Sequence, residues 1–129
     1  MTSNPCPFCS PDPPRVFFHG ELVFALWDGF PVSDGHALII PFRHVGGWLD
    51  ATEEERAGLF EAVSVVIEEI EGTRSPDGYN IGLNVGFAAG PTVDHLHLHV
   101  IPRYDGDVPD PRGGIRWVIP ERAPYWGDE

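Results

Sequence analysis

Asp94-His95-Leu96-His97-Leu98-His99-Val100-Ile101-Pro102-Arg103 is the stretch around which the chain is organised. Three histidines stand at every second position, with apolar residues between them. Successive side chains of a strand point to opposite faces, so a period of two predicts a β-strand over 95–101. Leu96, Leu98 and Val100 would then face a core. His95, His97 and His99 would form a row on the other face, roughly 6.6–6.8 Å between neighbours. Half of the chain's six histidines lie in this row. Near neutral pH an imidazole can be nucleophile, proton carrier, hydrogen-bond donor or metal ligand. A strand exterior has no structural need for three of them in register.

Working outward, Tyr79–Val85 also alternates, with Ile81, Leu83 and Val85 on one face and Asn80, Gly82 and Asn84 on the other. If this strand pairs antiparallel with the histidine strand, Asn84 comes near the row. The linking loop, Gly86–Thr92, is made of small residues. It lacks the Gly-Lys-Ser/Thr end of a P-loop, but small residues let a substrate approach the backbone closely. Further upstream, Thr52-Glu53-Glu54-Glu55 is a capping box, and its acidic first turn suits the helix dipole. Leu59, Phe60, Val63, Val66, Ile67 and Ile70 recur at helical spacing. These signals predict a helix over 53–71 with Gly72 as its C′ residue.

Leu22–Trp27 and His36–Ile40 are apolar runs of strand length. Turn chemistry separates them, at Asp28-Gly29-Phe30-Pro31 and Ser33-Asp34-Gly35, so they read as a hairpin ended by Pro41. Val16–His19 is a short strand or edge, with His19 at the surface. Ile115–Ile119 reads as a last short strand. Tyr125 and Trp126 in so short a tail imply docking, on the chain's own body or on a second subunit. The fold class is therefore α+β: an antiparallel sheet of about five strands with one long helix and a short helical turn. Residues 1–129 form one domain, with a core over about 6–103 and an irregular extension over 104–129.

Composition narrows the function. The net charge of −12 argues against a nucleic-acid polymer as partner, which needs a basic footprint. A phosphate site must then be built locally from His, Arg and backbone N–H groups. All eight basic residues are Arg, which excludes a lysine nucleophile or Schiff base. No run approaches 18 apolar residues, so no membrane span is expected. The N-terminus has no signal-peptide character, and the expected location is cytoplasmic. Cys6-Pro7-Phe8-Cys9 is a CxxC pair. A reducing compartment disfavours a disulfide. The proline-rich surroundings disfavour a thioredoxin-type motif, which leaves half of a Cys₂His₂ zinc site or two free thiols. His44, in the Phe42–Gly47 loop, is a surface residue or a zinc ligand.

The histidine row, Asn84 and the 86–92 loop together offer a nucleophile, neutral donors and backbone N–H groups. That set suits attack on phosphorus, where positioning and charge stabilisation dominate. Apart from Thr92 no hydroxyl or thiol nucleophile lies nearby, which disfavours triad-type acyl transfer. A catalytic zinc held by alternate histidines is the rival reading. The residues alone leave these two even.

His95-Leu96-His97-Leu98-His99-Val100-Ile101 resembles the His-φ-His-φ-His-φ-φ signature of the histidine-triad (HIT) nucleotide hydrolases and transferases, and the resemblance runs from about Cys6 to Arg103. It implies that His97, the middle histidine, is a nucleophile toward the α-phosphorus of a nucleotide. It implies that His99 helps bind phosphate and leaving group. Asn84 matches a phosphate-contacting side chain, with Thr92 beside it. Asp28 matches a residue that binds ribose hydroxyls, and His36 matches a buried histidine that supports the site. It further implies a structural zinc on Cys6, Cys9, His44 and His95, and a homodimer. The expected substrates are small adenosine-type nucleotides: dinucleoside polyphosphates first, phosphoramidates or nucleotidylated adducts second, with phosphorolysis rather than hydrolysis as the third reading. Pro91 stands where many relatives carry Gln, and it offers neither that amide nor a backbone N–H. Two alternatives remain, a zinc-dependent hydrolase with the triad as ligands and a non-catalytic nucleotide-binding protein.

Overall fold

The computed structural model describes residues 6–127. Five antiparallel strands, β1 (Val16–His19), β2 (Val23–Trp27), β3 (Ala37–Pro41), β4 (Gly78–Leu83) and β5 (Leu98–Arg103), form one sheet in the order β1-β2-β3-β5-β4. One long helix, α1 (Glu53–Glu71), and several short 3-10 turns complete the architecture. The α+β reading and the 22–40 hairpin hold, with β2 and β3 paired from Val23↔Pro41 to Trp27↔Ala37.

The sheet is covered on both faces near its centre. Val23, Ala25, Ala37, Ile39, Leu98 and Val100 share one core with Leu59, Ala62, Val66 and Ile70 of α1. Phe24, Leu26, Leu38 and Ile40 form a second core under Phe8 of the N-terminal segment. Burial on both faces is why β2 and β3 read as continuous apolar runs rather than alternating ones. Each large side chain buried here contributes about 1.5–3 kcal/mol.

α1 starts as its sequence dictates. The Glu55 amide donates to the Thr52 hydroxyl (3.0 Å), and the Thr52 amide donates to the Glu55 carboxylate (2.8 Å). The buried Glu55 also receives a two-pronged bond from Arg43 (2.8 and 3.1 Å). Arg43 holds its carboxyl below the usual range, ahead of the opposing effect of burial. This pair ties the β3–α1 loop to the first turn of the helix.

Four expectations need correction. The strand predicted over 95–101 begins only at Leu98 and runs on to Arg103. β3 stops pairing with it at Ile39↔Leu98, and 95–97 instead run beside the 42–47 loop, where the Leu96 amide donates to Val45 O (2.7 Å). The predicted strand at Ile115–Ile119 is a 3-10 turn over Gly114–Val118. Bonds such as Arg116 N–H to Gly113 O (2.8 Å) satisfy its backbone locally, with no strand pairing. Gly72 is a right-handed C-cap (φ −67°), not a left-handed C′ residue. Phe60 lies outside the core, half exposed, edge-on against Trp48 at 5.8 Å.

Candidate active site and candidate metal centre

The three histidines of the row diverge, and each is oriented by a different acceptor or donor. His95 is fully buried and its Nε2 lies 2.9 Å from Pro41 O. A carbonyl only accepts, so Nε2 carries the proton and Nδ1 presents a lone pair. That Nδ1 faces Cys6 Sγ at 3.4 Å and Cys9 Sγ at 3.6 Å, and Cys9 Sγ in turn lies 3.0 Å from His44 Nδ1. The four donor atoms all fall within 4.8 Å of one another. Zn–S near 2.3 Å and Zn–N near 2.0 Å at a tetrahedral angle put S and N about 3.5 Å apart. The two separations at His95 fit that edge length, and Cys9–His44 at 3.0 Å is somewhat shorter, so the donor set and its spacing fit a zinc ion. Desolvation, with Cys6 alongside, pushes the Cys9 thiol up. Two neighbouring sulfurs ionise readily only against a cation. Cys6, Cys9, His44 and His95 are thus brought together from three distant segments.

His97 is buried, and its Nδ1 lies 2.8 Å from the carbonyl of His95. Nδ1 therefore donates, and Nε2 is the nitrogen with the free lone pair. Phe8 stands edge-on to this ring, centroids 5.0 Å apart. Phe8 lies between Cys6 and Cys9, so the segment that would carry the metal also walls the histidine.

His99 belongs to a third arrangement. The Val32 amide donates to His36 Nδ1 (3.1 Å), which puts the proton of His36 on Nε2. That N–H donates to His99 Nδ1 (2.9 Å), and His99 therefore carries its own proton on Nε2. Burial, then the neighbouring His97 and His36, lowers His99 to about 4. Burial lowers His36 as well, against the pull of Asp28, whose Oδ2 is 3.4 Å from His36 Nε2. Both rings are neutral at pH 7. Asp28, His36 and His99 also lie close enough to hold a cation. The nitrogen His36 would have to offer is the protonated one, however, so this group is a hydrogen-bonded chain.

These orientations bear on the triad acting together as metal ligands. Of the two described groups with ligating geometry, one contains His95, the other contains His99, and neither contains His97. The triad does not converge on one point.

A cavity of about 340 Å³ opens in front of His97 and His99, and Asp28, Asn84, Gly90 and Thr92 line it. Asp28 is fixed there by an Asx turn, in which the Phe30 amide donates to its Oδ1 (2.9 Å). Gly90 closes the 3-10 turn Phe87–Ala89 in the left-handed region (φ 85°), which other residues rarely adopt. The predicted residues Asp28, His97, His99, Asn84 and Thr92 therefore share one cavity, with His36 behind it. No described buried side-chain N or O lacks a partner.

The sequence reading missed four contributors. Phe8 stands out in the sequence only as a residue between two cysteines, and Arg15 belongs to no motif. The Arg15 guanidinium lines the same cavity and donates to Trp27 O (3.1 Å). The Pro41 carbonyl and the Val32 amide set two tautomers, and backbone groups leave no signal in residue type.

Residues 11–106 match the HIT domain family model. AP-4-A phosphorylase of Mycobacterium tuberculosis is 39% identical over 93 residues, 71% of this chain and 48% of that protein. Bis(5'-nucleosyl)-tetraphosphatase [asymmetrical] of Schizosaccharomyces pombe is 40% identical over 93 residues, 72% of this chain and 51% of that protein. The chain thus spans about half the length of these two relatives. A crystal structure of a zinc-bound histidine triad family protein from Mycobacterium smegmatis superposes with a TM-score of 0.72 at 31% identity, covering 88% of this chain and 89% of that one. With the family model covering most of its length and the histidine row in place, this chain belongs to the HIT domain family.

Proposed function

We propose that the protein is a nucleotidyl hydrolase or transferase that cleaves dinucleoside polyphosphates at an α-phosphorus through a covalent nucleotidyl-His97 intermediate. The observation that carries this is the tautomer of His97. The His95 carbonyl takes Nδ1–H and leaves Nε2 unprotonated in a cavity that also holds Asp28, Asn84, Thr92 and His99. In the proposed step the Nε2–P bond forms, and the P–O bond to the departing nucleoside polyphosphate breaks with its electron pair. The positive charge that develops on the ring is balanced at Nδ1–H by the same carbonyl. Water then attacks phosphorus, loses a proton to solvent and releases the mononucleotide with free His97.

His99 is neutral at pH 7, with its proton on Nε2. In this scheme it donates a hydrogen bond to phosphate oxygens and is no reservoir of protons. A phosphate leaving group is stable as an anion and needs no more than that, whereas an amine must be protonated. This favours dinucleoside polyphosphates over phosphoramidates, in line with what the two named relatives act on. Asp28 would hold ribose hydroxyls, Asn84 and Thr92 the phosphate, and His36 would position His99. Zinc on Cys6, Cys9, His44 and His95 would be structural, holding Phe8 against His97.

Both cysteines are free thiols, which such a site requires and a reducing cytoplasm supplies. No described helix is long and apolar enough to cross a membrane. The homodimer rests on the family resemblance. The aromatic tail that hinted at it lies on the chain's own segment, with Arg112 over the Trp126 ring at 4.9 Å.

The test is product analysis with diadenosine tetraphosphate in ¹⁸O-water. The expected result is AMP carrying one ¹⁸O, together with ATP, and a loss of at least about 10³-fold in turnover in His97→Asn. Undiminished turnover in that variant would overturn the proposal.

A further inference from the structure

A second cavity, of about 490 Å³, shares His99 with the first. Its volume is in the range of small-molecule sites. His99 and Asn84 line both cavities and so stand at their junction. Gly82 is paired with His99 across β4 and β5, and a side chain there would meet nothing within 4 Å, so the floor beside His99 is open. The wall opposite comes from Ile115, Trp117 and Val118, in the 3-10 turn that stands where a strand was expected.

This turn is held by bonds within the C-terminal segment. Gly113 (φ 96°) reverses the chain. Arg116 donates to Ala123 O (2.9 Å) and to Arg122 O (2.8 Å). The Trp117 indole N–H donates to Arg112 O (2.7 Å), which fixes its ring while leaving 42% of the residue exposed.

The chemistry of the wall is one-sided. No described Asp, Glu, Lys or Arg lines this cavity; the lining is Trp117, aliphatic side chains, two asparagines and the two hydrogen-bonded imidazoles of His36 and His99. In the adjoining cavity the one cation, Arg103, is already bound by Asp107 (2.8 and 2.8 Å) and by Asn80 (2.6 Å). A terminal phosphate would find no free cation there. A planar apolar group with hydrogen-bonding edges would find an aromatic face and two amides.

We propose that this cavity is the leaving-group subsite, and that it receives the second nucleobase of a dinucleoside polyphosphate against Trp117. The proposal deepens the reading of His97 as nucleophile and rests on it for the direction of departure. It explains how a chain with net charge −12 can select a dinucleotide over a mononucleotide without adding positive charge.

The test separates binding from chemistry. Affinities of ATP and diadenosine triphosphate are measured calorimetrically on His97→Asn, because the two ligands differ by the second adenosine. The expected result is tighter binding of the dinucleotide by about tenfold or more, the scale of one base on one aromatic side chain. Adding Trp117→Ala should remove that advantage while ATP affinity holds. Adding Trp117→Phe should keep most of it. An advantage untouched by Trp117→Ala would overturn the subsite. If Trp117→Ala weakens both ligands equally, Val118→Asp decides. This residue is 75% exposed and tolerates a charge. Selective loss of dinucleotide affinity supports the subsite, and no selective loss overturns it. Turnover of diadenosine triphosphate by His97→Asn itself would refute the nucleophile and leave the binding comparison standing.

Discussion

Acid should unfold this protein partly by forcing a proton onto His99, and the structure gives the size of the effect. His99 falls from an ordinary 6.5 to about 4, first through burial and then through His97 and His36 alongside. A group whose folded value is depressed binds its proton more readily when unfolded. Its stabilising contribution is complete above pH 6.5, declines as pH falls, and levels off near pH 4. At 1.36 kcal/mol per pH unit the loss is about 3 kcal/mol at most. Other groups titrate in the same window, including any metal ligands, so the useful quantity is a difference. Urea midpoints of the wild type and of His99→Asn, followed from pH 7.5 to pH 4, share every other contribution. For m near 2 kcal/mol/M the wild-type midpoint should fall about 1.5 M further than that of the variant. Parallel curves would mean that His99 is not held neutral, and the proton assignment through Val32, His36 and His99 would fail with it.

Three further outcomes follow. Chelation with a strong zinc ligand, or Cys9→Ser, should lower Tm and abolish turnover together, because a zinc ion on the four donors would anchor Phe8 beside His97; turnover lost at unchanged Tm would point to a catalytic metal. Arg43→Met should cost about 1–2 kcal/mol at pH 7 by leaving the buried Glu55 carboxylate short of partners, a modest figure because Arg43 is itself half exposed. Since Glu55 is stabilised as the anion, that deficit should shrink below about pH 4.5, which chemical denaturation at two pH values checks. Leu98→Ala, fully buried between sheet and helix, should cost about 2–5 kcal/mol in the same assay.

The parts of this molecule written in local pattern were legible beforehand. The Thr52–Glu55 box and the helical spacing after it gave α1 its observed bounds, because capping and amphipathicity are local. The histidine period gave the right faces, since Leu96, Leu98 and Val100 do enter the helix-side core. It misplaces where pairing begins, because β3 runs on to Pro41 while 95–97 leave it for the 42–47 loop, a choice that no residue within 94–103 encodes. Ile115–Ile119 failed for a related reason. Its β-branched residues favour a strand, but Gly113 and Gly114, both at positive φ, turn the chain just before it and its backbone bonds close within the segment. The division of labour within the row was likewise unreadable from residue type: three identical side chains become a candidate ligand, nucleophile and donor through Pro41 O, His95 O and His36. The resemblance to a family implies those roles, and the hydrogen bonds give each ring a different orientation.

The central claim is a covalent bond between phosphorus and His97. Intact mass after brief mixing with diadenosine tetraphosphate and a quench that avoids acid tests it most directly. The account predicts a transient increment equal to one adenylyl group, mapped to His97 and absent in His97→Asn. Product release at full rate with no such increment at any mixing time would contradict it, and would require direct attack of water on the bound nucleotide.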